Sequence, residues 1–288
     1  MTSQYVGRFA PTPSGPLHLG SLLTAVASWL DARARRGTWL LRIDDLDTPR
    51  VDPAAEPAIL ATLESHGLRW DGSVHRQSDN RDRHDSAVRQ LGERCFACGC
   101  TRGELRGLNR YPGTCRHRGL PHAGNALRIR AEAKAVAFMD RVQGRVAPSN
   151  HIVGDFIVRR RDGVASYPLA VVIDDLLMGV NNVVRGADLL DNTAEQLLLM
   201  QWLGIQAPAY AHLPVVVEGT GAKLSKHNRA TAIDDRWAPH NLAAVLSLLG
   251  FDPPLDQVET MLAWAVDEWD IARVPRGTAL AGFFAIDR

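Results

Sequence analysis

The chain has 288 residues, of which 45% are hydrophobic and 23% are charged, and its formal net charge is +1 at pH 7. This composition excludes an intrinsically disordered protein, because a chain of this length can bury one large core or two smaller ones. No apolar run is long enough to span a bilayer, and the N-terminus lacks the pattern of a signal peptide, so we expect a cytoplasmic protein without membrane contacts.

The first elements of the chain predict a βαβ unit. Tyr5 to Phe9 is strand-like, Leu19 to Arg36 carries apolar residues at helical spacing up to Gly37, and Thr38 to Ile43 is again strand-like. Two strands joined by a helix are typical of a parallel sheet that is buried on both faces. The predicted fold class is therefore α/β.

The turn between the first strand and the helix is rich in proline and glycine. Residues 8–20 read R-F-A-P-T-P-S-G-P-L-H-L-G. Such a turn leaves backbone N–H groups free at the positive end of the helix, which favours an anionic ligand. His18 at the helix start is suited to contact a phosphate, but taken alone the pattern is more typical of a histidine that caps or packs at a helix start.

The remaining elements follow in chain order. We predict helices over Ala54 to His66, Arg81 to Gly92 and Thr193 to Leu203, strands over Ala126 to Ile129, Phe156 to Val184 and Leu213 to Val217, a turn at Arg161 to Gly163, a loop at Gly219 to His227, and short helices from Asn241 onward. The cysteine-containing window that follows residue 94 has the turns and arginines of an insertion outside the sheet.

Arginines crowd two stretches of the chain, and cysteines crowd one. Either arginine cluster, residues 102–130 or 159–161, is compatible with a basic patch for RNA or with a solvated surface. Cys95, Cys98, Cys100 and Cys115 favour a metal site over disulfides in a reducing compartment. From coordination chemistry, Cys95 or His117 would join the other three thiolates at zinc; burial of all four cysteines without metal is the alternative.

The loop G-T-G-A-K-L-S-K-H near residue 223 is a second candidate for binding anions. Lys223 and Lys226, with Ser225 between them, are suited to neutralise a polyphosphate, although the spacing is not that of a P-loop. Taken alone, such a loop is more typical of a solvated surface.

Together the two loops resemble the signatures of class I aminoacyl-tRNA synthetases, P-L-H-L-G at residues 16–20 and K-L-S-K-H at residues 223–227. Further segments, in the same order as in that family, resemble the glutamyl-tRNA synthetases: R-F-A-P-T-P-S-G from Arg8, R-I-D-D-L-D-T-P-R from Arg42, Y-P-L-A-V-V-I-D-D from Tyr167 and V-R-G-A-D from Val184. The C-x-C and Y-x-x-x-C pattern is similar to shortened relatives, the glutamyl-Q tRNA(Asp) synthetases. The resemblance implies a Rossmann-type nucleotide-binding fold.

The resemblance also implies roles for individual residues. It makes His18 and Lys226 catalytic, and it assigns ATP to Pro16, His18, Gly20, Lys223, Ser225 and Lys226. It assigns L-glutamate to Arg8, Phe9, Ala10, Pro11, Thr12, Asp44, Tyr167 and Arg185. It assigns one structural Zn²⁺ to Cys98, Cys100, Tyr111 and Cys115, which leaves Cys95 as a packed thiol.

The charges of glutamate fit these assignments, because its two carboxylates require separate cationic donors and its ammonium requires an anionic acceptor. Arg8 and Arg185 suit the carboxylates, with Arg8 expected on the side-chain carboxylate. Asp44 suits the ammonium, although the family has glutamate there more often. If the resemblance is set aside, Tyr167 is equally compatible with a buried tyrosine at a strand end.

The resemblance implies four regions and an unusual acceptor. Residues 1–94 and 156–230 form the two halves of the catalytic domain, residues 95–155 a zinc-bearing, acceptor-like insertion, and residues 231–288 a short helical region. About sixty residues follow K-L-S-K-H, so we expect no anticodon-binding domain. The implied reaction activates glutamate with ATP and Mg²⁺ and then transfers it to the queuosine base of tRNA(Asp). This base occupies the wobble position in the anticodon loop. The enzyme is expected to be a monomer. A truncated conventional glutamyl-tRNA synthetase and a non-catalytic tRNA-binding protein are the alternatives.

Overall fold

The computed structural model describes residues 4–108, 110–146, 152–217 and 232–281. The α-helices of this part are α1 (Leu19–Arg33), α2 (Ala55–Ser65), α3 (Arg81–Leu91), α4 (Tyr167–Leu177), α5 (Leu190–Leu203), α6 (Ala238–Leu248) and α7 (Val258–Glu268). Its strands are β1 (Val6–Phe9), β2 (Thr38–Ile43), β3 (His75–Arg76), β4 (Cys95–Cys98), β5 (Ala126–Ile129), β6 (Lys134–Ala135), β7 (Phe138–Asp140), β8 (Gly144–Val146), β9 (Ile152–Val153), β10 (Ile157–Arg159), β11 (Asn182–Gly186), β12 (Ala209–Leu213), β13 (Val215–Val217) and β14 (Ala279–Ala281). No described helix is long and apolar enough to cross a membrane.

Parallel strands form the centre of the molecule. β1 pairs in parallel with β2, and β2 with β3, which confirms the predicted βαβ unit. β11 pairs in parallel with β12 and continues this layer on the other side of β1, since the backbone N–H of Asn181 donates to the carbonyl of Val6 over 3.0 Å. The ends of β1, β2 and β11 therefore lie close together.

Helix α1 is enclosed because its apolar residues face the strands and α6 and α7. Leu22 and Leu30 of α1 are fully buried, and they share one hydrophobic core with the fully buried Trp39 of β2. The helix ends at Arg33, three residues before the predicted end, and Arg36 adopts a positive φ of 52°. Gly37 then passes so close to β1 that a Cβ atom there would lie 2.6 Å from the carbonyl oxygen of Tyr5. The glycine is thus required by the close approach of two chain segments.

The predicted strand over Phe156 to Val184 is wrong in its central part. β10 and β11 lie at its two ends and the turn at Arg161 to Gly163 is confirmed, but Tyr167–Leu177 forms helix α4. Nearly all of α4 between Pro168 and Asp175 is buried, so its apolar run lacks the periodicity that separates a helix from a strand. Pro168 in the first turn is a helix-start signal that could have corrected the prediction.

The other predicted helices are confirmed, with shifts of a few residues at their ends. The cysteine window also lies outside the parallel sheet, as predicted, but Cys95–Cys98 is a strand and not a turn. This β4 strand pairs antiparallel with β5, and β5 with β10, which gives a separate three-stranded sheet. Strands β7, β8 and β12 are absent from the sequence prediction.

Asp31 on α1 is a fully buried hub that joins distant parts of the chain. It accepts hydrogen bonds from the Tyr5 hydroxyl at 2.6 Å, from Arg141 Nη1 at 2.6 Å and from Trp269 Nε1 at 3.1 Å, and it pairs with Arg35. Burial alone would raise the pKa of Asp31, but its hydrogen bond to Arg141 and the positive charges around it lower this pKa below its ordinary value.

We expect Asp31→Asn to lower the free energy of unfolding by about 3 kcal/mol, because it leaves a partly buried Arg141 without its counter-charge. Because folding lowers the pKa of Asp31, its contribution should be complete above the unfolded-state pKa and disappear as the pH falls through the folded-state pKa. Urea denaturation of the purified variant measures both effects. Asp47→Asn, which breaks the exposed pair with Arg50, is the matched control and should cost less than about 1 kcal/mol.

Candidate active site and metal centre

The first signature loop ends on a capped helix. His18 has an extended backbone, and its Nδ1 accepts a hydrogen bond from the backbone N–H of Ser21 at 3.2 Å. Leu17 beside it is buried, and Gly15 has a φ of 136°, which a residue with a side chain rarely adopts. In this structure His18 therefore caps α1, and the capping places its ring at the helix N-terminus.

The second signature, with Lys223, Ser225 and Lys226, lies outside the described residues. The residues on either side of residues 218–231 are described, and both lie against the first signature. The backbone N–H of Ile233 donates to the carbonyl of Leu17 at 3.0 Å, and Ala232 forms an antiparallel bridge with His18. On the other side, Val216 Cβ lies 4.0 Å from the position that a Cβ of Gly20 would occupy.

Four buried charged residues from β1, from β2 and the position after it, and from α4 form a connected network beside the loop. Asp175 on α4 accepts hydrogen bonds from Arg8 Nε at 3.2 Å and from Arg42 Nη1 at 2.5 Å. Arg42 Nε also donates to Asp44 at 2.6 Å. Burial alone would raise the pKa of Asp175, but the two arginines lower this pKa below its ordinary value, so the carboxylate stays ionised.

Arg8 uses only part of its guanidinium group in this network. Among the described residues, the hydrogen bonds of its side chain are both made by Nε, to the two carboxylate oxygens of Asp175. Both terminal nitrogens are thus available for a carboxylate, which a guanidinium group can bind through two parallel hydrogen bonds.

Arg185 at the end of β11 is the second predicted arginine, and it is only 3% exposed. Its Nε donates to His212 Nε2 at 3.1 Å, and its Nη2 donates to Thr193 Oγ1 at 2.8 Å and Gln196 Oε1 at 2.7 Å. Its guanidinium carbon lies 5.2 Å from the centre of the Tyr210 ring. Within the described part of the chain Arg185 has no carboxylate partner, and its Nη1 has no hydrogen bond.

Tyr167 is the first residue of α4, which corrects the alternative of a buried tyrosine at a strand end. It is 37% exposed, yet it lies close enough to the charged network for Arg185, Asp44 and Arg8 to influence its ionisation. Desolvation by the surrounding protein raises the pKa of Tyr167, so its hydroxyl keeps its proton and can donate it to an acceptor. The structure thus brings four predicted residues, Arg8, Asp44, Tyr167 and Arg185, to one site.

The predicted glutamate residues of the loop differ in what they can contribute. Phe9 packs into the core with its ring 6.4 Å from that of Trp39, so its side chain is not available to a ligand. The carbonyl of Pro11 accepts a hydrogen bond from the backbone N–H of Asp44 at 3.0 Å, which fixes the loop against β2. Ala10 and Thr12 lie in the same half-buried stretch.

Sequence reasoning missed several residues of this site. Arg42 and Asp175 lie within segments that carry the family resemblance, where adjacent charged residues in an apolar strand or helix were the available signal. His212, Thr193 and Gln196 lie in elements far from Arg185 in the sequence, and no local pattern points to them.

The cysteine cluster has the geometry of a tetrahedral metal site. The sulfur atoms of Cys98, Cys100 and Cys115 lie within 4.8 Å of one another, with Cys100 and Cys115 3.6 Å apart. The Tyr111 hydroxyl lies 3.5 Å from Cys98 Sγ and 4.0 Å from Cys100 Sγ. Ligands about 2.0 to 2.3 Å from a tetrahedral zinc are about 3.3 to 3.8 Å from one another, so the separations of 3.5 to 4.0 Å in this cluster fit the ion after small side-chain shifts.

Cys95 is not part of this cluster. It lies on β4 in a different hydrophobic core, where burial raises the pKa of its thiol to about 11. The three clustered cysteines therefore form a possible metal site, with Tyr111 as the nearby oxygen donor, and Cys95 is packed as predicted.

Three comparisons with known proteins agree with this geometry. Residues 4–257 match the family model of class I tRNA synthetases (E and Q), catalytic domain. A glutamyl-Q tRNA(Asp) synthetase of Pseudomonas aeruginosa is 47% identical over 97% of this chain and 98% of its own, and one of Methylococcus capsulatus is 48% identical over 96% and 95%. The solved glutamate-tRNA synthetase of Elizabethkingia anophelis superposes with a TM-score of 0.81 at 24% identity, over 97% of this chain and 68% of the other.

We expect Cys115→Ser to lower the zinc content of the purified protein well below the one ion per chain expected for the unaltered protein, since serine is a much poorer zinc ligand than thiolate. Cys95→Ser is the matched control and should retain the metal. Tyr111→Phe should weaken zinc retention during dialysis against a chelator if the phenol is a ligand. Metal analysis by mass spectrometry decides among these outcomes, and a metal-free unaltered protein prepared without chelators would contradict the site.

Proposed function

Because the chain belongs to the class I tRNA synthetases of the glutamate and glutamine type, and within them to the glutamyl-Q tRNA(Asp) synthetases, we propose that it activates L-glutamate with ATP and transfers it to the queuosine base at the wobble position of tRNA(Asp). The acceptor is taken from the names of relatives that match nearly the whole chain. The activation step is supported by the site itself.

The single observation that carries the glutamate assignment is the state of Arg185. A buried charge is costly unless it is paired, and among the described residues this guanidinium contacts only neutral acceptors and an aromatic ring. A carboxylate of the substrate would supply the missing counter-charge. The alternative role of a structural ion pair has no partner in the described part of the chain.

The charge of the whole site fits the same substrate. Arg8, Arg42 and Arg185 bring three positive charges, and Asp44 and Asp175 bring two negative ones. At neutral pH glutamate carries two carboxylates and one ammonium group, so its net charge is opposite to that of the site. We assign the carboxylates to Arg8 and Arg185 and the ammonium group to Asp44, with Tyr167 as a further hydrogen-bond donor.

Activation would proceed by in-line attack. A carboxylate oxygen of glutamate attacks the α-phosphorus of ATP, the bond to the pyrophosphate oxygen breaks, and glutamyl-adenylate forms. His18 at the N-terminus of α1, with Lys223, Ser225 and Lys226 of the second signature, would bind the phosphates and stabilise the charge that develops. The anchoring of Ala232 and Ile233 beside His18 supports this closure of the two signatures, and Mg²⁺ would accompany ATP.

Transfer would follow when a hydroxyl of the modified base attacks the carbonyl carbon of the adenylate and AMP leaves. Single-stranded anticodon bases are well suited to this, because RNA-binding proteins mostly recognise bases that are splayed out of a helix. The zinc proposed at Cys98, Cys100, Tyr111 and Cys115 would stabilise the insertion and takes no part in either bond change.

The experiment that tests the acceptor uses two tRNA pools, one from cells that make queuosine and one from cells that cannot. The purified protein is incubated with each pool, ATP and radiolabelled glutamate. We expect label only on the first pool, and we expect it to survive removal of the 3′-terminal adenosine.

Other outcomes lead to different conclusions. Equal labelling of both pools at the 3′ end would identify a conventional glutamyl-tRNA synthetase activity. Glutamate-dependent exchange of pyrophosphate into ATP without transfer to either pool would support activation but refute the proposed acceptor. Absence of both reactions would favour a tRNA-binding protein without catalysis.

We expect Asp44→Glu to be tolerated or to lower the KM for glutamate, because the longer side chain reaches further toward the ammonium group while keeping its charge. Asp44→Asn, the matched control, removes the charge and should raise this KM by about tenfold or more. Pyrophosphate exchange at varied glutamate concentration measures both, and the KM for ATP should stay unchanged. A large rise in the glutamate KM of Asp44→Glu would show that the pocket is built around aspartate.

A further inference from the structure

The hydrogen-bond acceptors around Arg185 have one property in common, which is that none of them carries a negative charge. Thr193 and Gln196 of α5 and His212 of β12 hold Nη2 and Nε over distances of 2.7 to 3.1 Å. Carboxylates are the usual partners of a buried guanidinium, and the neighbouring Arg8 and Arg42 both have one. Arg185 is therefore oriented on two of its nitrogens without being neutralised.

A neutral His212 carries one ring proton, and the neighbouring side chains determine which of the two nitrogens holds it. Nδ1 lies 2.6 Å from Asp140 Oδ2, an acceptor, so this nitrogen carries the proton. Nε2 is then free to accept from Arg185 Nε and lies 2.9 Å from Thr193 Oγ1. A second proton on Nε2 would set a donor and a positive charge directly against Arg185 Nε.

Asp140 is fixed so that it can set this tautomer. Its carboxylate also accepts hydrogen bonds from the backbone N–H groups of Val142 and Gln143 at 2.9 and 2.8 Å, and from that of His212. Burial alone would raise the pKa of Asp140, but the hydrogen bond from the His212 side chain and those from the backbone of Gln143 and Val142 lower this pKa, so the carboxylate remains an acceptor.

We propose that Thr193, Gln196 and His212 form a neutral cradle that positions Arg185 while leaving its charge for a carboxylate of the substrate, and that Asp140 keeps His212 in the tautomer this requires. This proposal rests on the proposed binding of glutamate to Arg185. It makes the three cradle residues determinants of the selectivity for a substrate that presents a carboxylate to Arg185. They are positioning residues, since they act through Arg185.

The surroundings of His212 favour its neutral form. Arg185 on β11 faces Nε2, Arg8 on β1 adds a second positive charge, and the Tyr210 ring stacks at 5.8 Å between ring centres. Among the described residues around the ring, Asp140 on β7 is the charged group that favours protonation, and Thr193 on α5 and Phe138 on β7 are uncharged. Burial lowers the pKa of His212 below its ordinary value, and the positive charges of Arg185 and Arg8 lower it further.

Gln196→Glu tests the neutrality of the cradle with almost no change of shape. The amide nitrogen of Gln196 has no hydrogen-bond partner in the described part of the chain, so the substitution loses no contact of that atom, and a carboxylate oxygen replaces the acceptor of Arg185 Nη2. In pyrophosphate exchange we expect the KM for glutamate to rise by about tenfold or more, and the preference for glutamate over glutamine to fall, with the KM for ATP unchanged.

Gln196→Met is the matched control, because it loses the acceptor without adding a charge. Its KM for glutamate should rise clearly less than that of Gln196→Glu. Equal increases in the two variants, or a wild-type KM and preference in Gln196→Glu, would overturn the neutral cradle. Thermal denaturation of both variants shows whether the fold is retained, and direct glutamate binding by calorimetry replaces kinetics if turnover is lost.

A second pair of variants separates the two nitrogens of His212. The amide of glutamine can place an oxygen near the position of Nε2, whereas the amide of asparagine can place a nitrogen only near Nδ1. We expect His212→Gln to keep the KM for glutamate within about threefold of the wild-type value and His212→Asn to raise it by about tenfold.

The pH profile gives a readout that a purely structural role would not change. Because burial lowers the pKa of His212, the glutamate KM of the unaltered protein should stay constant down to about pH 6.5, the ordinary value for histidine, and rise only at lower pH as His212 becomes protonated. This rise should be absent in His212→Gln. Similar damage by Gln and Asn, or an unchanged acid limb in His212→Gln, would overturn the role of His212. Absence of exchange in the unaltered protein would refute the proposed function instead, so the two failures are distinguishable.

Discussion

The bridge that Asp175 makes between Arg8 and Arg42 is the interaction on which the candidate site depends. It joins β1, β2 and α4 through one buried carboxylate, with Arg42 held at 2.5 Å and Arg8 at 3.2 Å. Without it Arg42 would keep only Asp44, and Arg8 would have no carboxylate partner among the described residues. Because Asp175 lies on α4, the same bridge fixes the helix whose first residue is Tyr167, so the position of the tyrosine depends on the ion pair.

A site of this kind lowers the stability of the ligand-free protein and strengthens the binding of an anionic ligand. Arg185 is buried with only neutral partners among the described residues, which costs free energy in the ligand-free protein. Binding of an anion removes that cost, so the same feature that destabilises the free site strengthens discrimination in favour of a carboxylate. The contrast with Arg8, which already has a carboxylate partner, gives the two arginines different roles in one pocket.

The sequence predicts the parts of this protein that depend on local pattern. The βαβ unit follows from periodicity, and the arginines at residues 8 and 185 follow from a family resemblance that spans the chain. The helix α4 was predicted as a strand because burial on all sides removes the periodic signal. Asp140 and His212 lie 72 residues apart in sequence and meet only through the pairing of β7 with β12, so no linear pattern could reveal their contact with Arg185.

The metal centre and the charged site are physically connected although they are chemically separate. The sheet of β4, β5 and β10 shares a hydrophobic core with α4 and α5, in which Leu127 packs with Leu169 and Leu198. A cavity of about 370 Å³ is lined both by Tyr111 of the cysteine cluster and by Ser166 and Pro168, which flank Tyr167. A metal ion bound by the cluster would therefore stabilise the sheet against which α4 and α5 pack. Those helices carry Tyr167, Asp175 and two of the three cradle residues, Thr193 and Gln196. An ion that touches no reacting atom would therefore still influence the geometry of the proposed glutamate site.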